Sequence, residues 1–200
     1  MVDETGGFDA IILAGGASRR LGGADKAEIL LGGKRLLERA LEAVVGARRV
    51  IVVGPRRAAP GRVLWTSEYP PGGGPAAALG AGIELVTAPL VVVLAVDMPF
   101  VDALTIAGAV AAAGGRDGAV LTDAAGAPQY LAGAYRSARL REAIGRVDRL
   151  AGVPVRELLQ GLELARLPAA GAVGDVDDWN EIDAARRRFD AERGGAEDAR

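Results

Sequence analysis

Short apolar runs, each stopped by glycine or proline, alternate along the chain with segments whose apolar residues recur at helical spacing. Residues 9–13 run into Gly15-Gly16, the pattern of a buried strand halted by a glycine loop. A second run over 50–53 stops at Gly54-Pro55, and a weaker one over 62–65 precedes a loop at 69–74. The strongest strand signal is residues 90–96, largely β-branched and without alternation, as expected when both faces of a strand are covered. Residues 119–122 and 129–134 predict two strands around a small loop, and another falls near 162–167. Between these, Leu36, Leu37, Ala40, Leu41, Val44 and Val45 share one face of a helix over 35–45, with Gly46 as its stop. Pro75 opens a helix that continues over 76–86, and further helices are predicted over 104–113, 137–147, 153–160 and 178–189.

Strands alternating with helices predict an α/β fold, a three-layer α/β/α sandwich around a mainly parallel sheet. Residues 1–192 read as one domain and the polar residues 193–200 as a frayed tail. Ligands of such sheets bind outside the carboxyl ends of the strands. The question of function becomes what those ends carry.

Composition narrows the chemistry. The chain has no Cys and no His, which excludes thiolate nucleophiles, imidazole bases and the usual zinc ligands. A metal would have to sit on oxygen ligands, which suits Mg²⁺ or Mn²⁺. A net charge of −2 argues against a general nucleic-acid or membrane binder. Residues 1–10 lack a basic segment and an apolar core, and residues 89–96 are too few to span a bilayer, so a cytoplasmic location is expected.

The loop after the first strand, residues 15–26, holds four glycines together with Arg19, Arg20 and Lys26. Glycines let backbone N–H groups approach an anion, and the cations supply charge-assisted hydrogen bonds to phosphate. A flexible turn with solvated charges is the plain alternative, weakened by the position directly after a buried strand. A Walker loop is excluded, because Leu21 stands where its second glycine belongs. Residues 72–77 match G-x-G-x-x-A without a clear preceding strand, which leaves an anion-binding glycine turn at a helix start. Only Lys26 and Lys34 are lysines among 24 basic residues. A compact ammonium kept at Lys26 fits between phosphates better than a guanidinium fork. Asp97 follows the strongest strand, where a carboxylate can hold Mg²⁺ beside a triphosphate, while Asp102 is better placed to cap the next helix. In Asp175-Val176-Asp177-Asp178, Asp178 with Glu181 reads as a capping box. For Asp177 a second metal contact and a solvated loop carboxylate stay equally open.

The string from Leu13 to Lys26, L-A-G-G-A-S-R-R-L-G-G-A-D-K, resembles the signature of the molybdenum cofactor guanylyltransferases, a branch of the nucleotide-diphospho-sugar transferase-like superfamily. The likeness continues through Gly32-Gly33-Lys34, Pro71 to Pro75, Leu94 to Phe100 and Asp175 to Asp177, over nearly the whole chain. It implies a Rossmann-like nucleotidyltransferase fold and transfer of GMP from GTP to the terminal phosphate of molybdenum-loaded molybdopterin, with Mg²⁺ as cofactor and pyrophosphate as leaving group. By the same likeness, the backbone of Leu13, Ala14 and Gly15 would hold the guanine and ribose side, with Gly16 also binding GTP. Arg20, Lys26 and Asp97 would act on the phosphates, with Gly74 beside them and Asp97 and Asp177 at the metal. GTP and molybdopterin are the implied partners, together with transient contacts to proteins that insert or chaperone the cofactor. Leu21 replaces the usual Met, and Asp177-Asp178-Trp179 stands where Asn-Thr-Pro is common. Glu68 is the nearest substitute for a nucleotide-contacting Asp. A cytidylyltransferase, typified by L-A-A-G in the first block, is the alternative enzyme; a nucleotide-binding accessory protein without turnover is the alternative outside catalysis.

Overall fold

Runs that are apolar on both faces can be buried only inside a stack of layers, and the computed structural model, which describes residues 7–16, 21–169 and 171–197, builds them into one sheet. In chain order the elements are β1 (Phe8–Leu13), a two-residue pair β2 (Leu30–Leu31) and β3 (Lys34–Arg35), α1 (Leu36–Ala43), β4 (Val50–Val53) and β5 (Val63–Thr66). Then follow α2 (Pro75–Ile83), β6 (Leu90–Ala95), α3 (Ala103–Ala112), β7 (Gly118–Thr122) and β8 (Pro128–Arg136). The chain continues through α4 (Ser137–Gly145), α5 (Val155–Leu158), β9 (Leu164–Pro168) and α6 (Trp179–Glu197).

The seven-stranded sheet has the order β5-β4-β1-β6-β8-β7-β9. Its strands share one direction except β8, which is antiparallel to both neighbours. The reversal follows from the connection: residues 123–127 form a tight turn in which Asp123 Oδ1 accepts from the N–H groups of Ala125 (2.9 Å) and Ala127 (2.8 Å). So short a link permits only an antiparallel pair. Gly32 and Gly33, at φ 56° and 80°, make the turn of the small β2–β3 hairpin, which the hydrophobic pattern did not predict.

Side chains alternate across the sheet, giving a core on each face. Ala10, Ile12, Val92 and Leu94 pack on the side of α1, α3 and α6, whereas Ile11, Leu13, Val91 and Val93 pack against α2, α4 and α5. Asp9, fully buried at the start of β1, accepts from the backbone of Thr87 (2.6 Å) and Ala88 (2.9 Å) and so ties β1 to the lead-in of β6. Helix α6 reaches Glu197, so residues 193–197, expected as a frayed tail, are helical. Among the described residues no helix is long and apolar enough to cross a membrane.

Candidate active site

The chain leaves β1 for β4 on one side and later returns to β6 on the other, so the connections diverge between β1 and β6. Their carboxyl ends lie side by side, with Leu13 opposite Ala95 and the Val96 N–H donating to the Leu13 carbonyl at 3.0 Å. Such a switch point opens a crevice by construction. Here it is a cleft of about 490 Å³, within the range of small-molecule sites. A hollow of about 510 Å³ beside α1 is lined by Leu41, Val44 and Val63 and by charged Lys34, Glu38, Glu42 and Arg62. It opens at Val50 and Val63, the amino ends of β4 and β5, away from the carboxyl ends where ligands of such sheets bind.

One wall of the cleft is glycine and backbone. Leu13, Gly15 and Gly16 line it at the end of β1. Ala14 does not; its side chain is buried in the core and its N–H donates to the Val53 carbonyl at 2.9 Å. Glu68, Gly72 and Gly74 line the cleft from the β5–α2 connection. The Glu68 carboxylate accepts from the Gly72 N–H at 3.3 Å and passes over Gly15, whose hydrogen it approaches closely enough that a Cβ there would touch it at 3.6 Å. Gly74, at φ 86°, precedes Pro75 at the first turn of α2. Their position directs the start of that helix at the cleft.

The other wall is charged. Lys26 Nζ donates to Asp97 Oδ2 at 2.9 Å and to Asp177 Oδ1, so one ammonium lies between carboxylates that are 71 and 151 residues away in sequence. Asp97 is placed by β6. Asp177 is brought to it by the Val176 N–H, which donates to the Asp97 carbonyl at 3.0 Å. Asp178 is occupied elsewhere: it caps α6 by accepting from the Glu181 N–H at 2.9 Å while Glu181 accepts from the Asp178 N–H at 3.1 Å, the expected capping box. Asp102 likewise caps α3 through the Thr105 N–H at 2.8 Å. Partial burial by itself would lower the Lys26 pKa, but Asp97 beside it and hydrogen bonds to both carboxylates outweigh that and hold the ammonium above its ordinary value. Arg20, expected among the phosphate-binding cations, lies outside the described residues. Lys34 is remote from the cleft wall and pairs with Glu42 at 2.6 Å on the surface.

Two residues that sequence reasoning passed over support these walls from the β4–β5 connection. Gly54 sits so close to the end of β1 that a Cβ on it would meet the Ala14 carbonyl group at 2.8 Å. Arg57 pairs with Asp25 through two nitrogens on one edge of its guanidinium, Nε and Nη2. A Gly-Pro step after a strand reads as a simple stop, and a single Arg in a loop reads as solvated. Neither signal distinguishes a support from a surface.

The family model described as the MobA-like NTP transferase domain matches residues 10–167. A probable molybdenum cofactor guanylyltransferase from Mycobacterium tuberculosis is 33% identical over 168 residues, covering 79% of this chain and 80% of the relative. Among solved structures, molybdopterin-guanine dinucleotide biosynthesis protein A from Archaeoglobus fulgidus has a TM-score of 0.72 at 20% identity, covering 92% of this chain and 100% of that one. The 2-C-methyl-D-erythritol 4-phosphate cytidylyltransferase from Thermus thermophilus has a TM-score of 0.72 at 21% identity, covering 92% and 98%. The fold is therefore the Rossmann-like nucleotidyltransferase fold, and it is shared by proteins named for different bases.

Proposed function

Since this chain belongs to the MobA-like NTP transferase family and is a nucleotidyltransferase, we propose that it transfers GMP from GTP to the terminal phosphate of molybdenum-loaded molybdopterin. An oxygen of the pterin phosphate forms the new bond to the α-phosphorus, the bond to the β-phosphate bridge breaks, and pyrophosphate departs. The observation that carries this reading is the pairing, across one cleft, of a glycine-walled side with a lysine flanked by two carboxylates. Transfer at phosphorus needs positioning and charge neutralisation more than acid–base groups, so a chain without His or Cys is suited to it.

Lys26 neutralises the triphosphate, joined by Arg20, and the backbone of Leu13, Gly15 and Gly16 supports the guanosine. Gly74 leaves room for the phosphates at the start of α2. Glu68 offers an acceptor-only carboxylate, matched to guanine, which presents an N–H and an amino group side by side on one edge. Asp97 and Asp177, whose carboxylates both reach the Lys26 ammonium, are hard oxygen donors of the kind Mg²⁺ takes and would be the residues that hold it. When bound, Mg²⁺ supplies further neutralisation of the phosphates.

The test is incubation of the protein with Mg²⁺, molybdenum-loaded molybdopterin and each nucleoside triphosphate separately, followed by identification of the dinucleotide and of pyrophosphate. The guanine dinucleotide is expected from GTP. A cytosine product would make the protein a cytidylyltransferase, and tight GTP binding without pyrophosphate release would make it an accessory protein.

A further inference from the structure

We infer that Arg57 is a positioning residue for Lys26, which it serves through Asp25 rather than by touching substrate. Arg57 lies in the β4–β5 connection, yet its side chain is only 9% exposed. Each of its three guanidinium nitrogens makes a hydrogen bond. Nε donates to Asp25 Oδ2 at 2.6 Å, Nη2 to Asp25 Oδ1 at 2.8 Å, and Nη1 to the Pro55 carbonyl at 2.7 Å. Paired bonds of this kind fix direction as well as distance. Asp25 passes the constraint on: its Oδ1 also accepts from the Ala27 N–H at 3.1 Å, capping the single 3₁₀ turn Lys26–Glu28. The backbone of Lys26 is thus set by Asp25, and Asp25 is set by Arg57.

The same connection holds the other end of the glycine-rich loop. Gly54 packs on Ala14 and Gly15, where the loop begins, and Arg57 grips Asp25, where it ends. Four consecutive residues of one connection therefore clamp both feet of the loop that would surround a polyphosphate. A loop held at both ends favours a ligand with several phosphates over one with few, a consequence that rests on the nucleotide reading of the cleft.

Calorimetric titration of the full chain with GTP and with GMP, each with Mg²⁺, tests the assignment. Absence of GTP binding by the unaltered protein would sink the nucleotide reading itself, and with it this role. Given GTP binding, Arg57→Gln is expected to weaken GTP about tenfold and GMP less than about twofold, the scale of a coupled charge pair. Asp25→Asn is expected to show the same selective loss, and the double variant to be no worse than either single one, because the two side chains act as one bridge. Arg57→Lys keeps the charge without the two-pronged geometry and is expected to remain impaired. Equal weakening of GTP and GMP, unchanged GTP affinity, or full rescue by lysine would each overturn the positioning role. Should Arg57→Gln not fold, Asp25→Asn decides alone by the same comparison.

Discussion

Gly54→Ala isolates the closest approach in the site. Gly54 has φ 145°, a region that only glycine occupies without strain, and an added Cβ would lie 2.8 Å from the carbonyl carbon and oxygen of Ala14 and 2.9 Å from the Gly15 nitrogen. These are backbone atoms, so no rotamer change can relieve the overlap. Restoring an ordinary contact near 3.4 Å requires the start of the glycine loop to move by about 0.6 Å. Backbone strain alone costs about 1–3 kcal/mol and overpacking a similar amount. Gly16→Ala provides the internal control, because Gly16 has a comparable φ of 137° and, among the described residues, nothing lies within 4 Å of its would-be Cβ. Urea unfolding without nucleotide should show Gly54→Ala losing about 1–3 kcal/mol more than Gly16→Ala. For a chain of this size each 1 kcal/mol lowers Tm by about 2–4 °C, so the difference is visible in a thermal scan as well. Equal losses in the two variants would refute the claim that the β4–β5 connection buttresses the end of β1.

Three further outcomes are expected. Asp97→Asn should keep the fold but lower pyrophosphate release by more than about 100-fold, through loss of the charge that offsets a bound cation; near-normal release at ordinary Mg²⁺ would count against a metal role. Lys26→Arg should cost about 100-fold in turnover, since a planar fork replaces an ammonium seated 2.9 Å from Asp97, whereas the surface pair of Lys34 makes Lys34→Arg nearly silent. Comparable mild effects in steady-state kinetics at both positions would mean that Lys26 is an ordinary solvated charge. Asp102→Ala should destabilise by about 1 kcal/mol at neutral pH through loss of a helix cap. The Thr105 hydroxyl and then its N–H hold the Asp102 pKa below 3.8, so the carboxylate's contribution is present above that value and lost as pH falls through the folded-state value. The gap between the two proteins in urea should therefore close in acid, and a constant gap would contradict the cap's charge dependence.

What was legible in the sequence follows the physics of each signal. Strands β1, β4 and β6 announce themselves because doubly covered strands need unbroken apolar runs, and Asp102 and Asp178 because a cap requires a particular side chain at a fixed offset from the helix. Helix ends were less legible: the apolar stripe of α1 extends to Val45, while the helix closes at Ala43. Residues 153–160 shrink to the single turn of α5, since Pro154 delays its start. The direction of β8 is carried by the length of its connection rather than by its own residues. At the site, Lys26 and Asp97 stand out locally. Their juxtaposition with Asp177 depends on a backbone hydrogen bond from Val176, which leaves no mark on residue type. Gly54 and Arg57 were invisible for a related reason, since each acts by where it packs.

The charged wall draws on residues 26, 97 and 177, the last of them just before the final helix. A nascent chain emerging from the ribosome can pair β1 with β4 and β6 and bring Lys26 against Asp97 long before Asp177 has been synthesised. Contacts between segments so far apart form late in folding, after the local elements they join. The charged wall is therefore completed only once residue 177 is available, and a product terminated before it would carry Lys26 and Asp97 yet lack the second carboxylate.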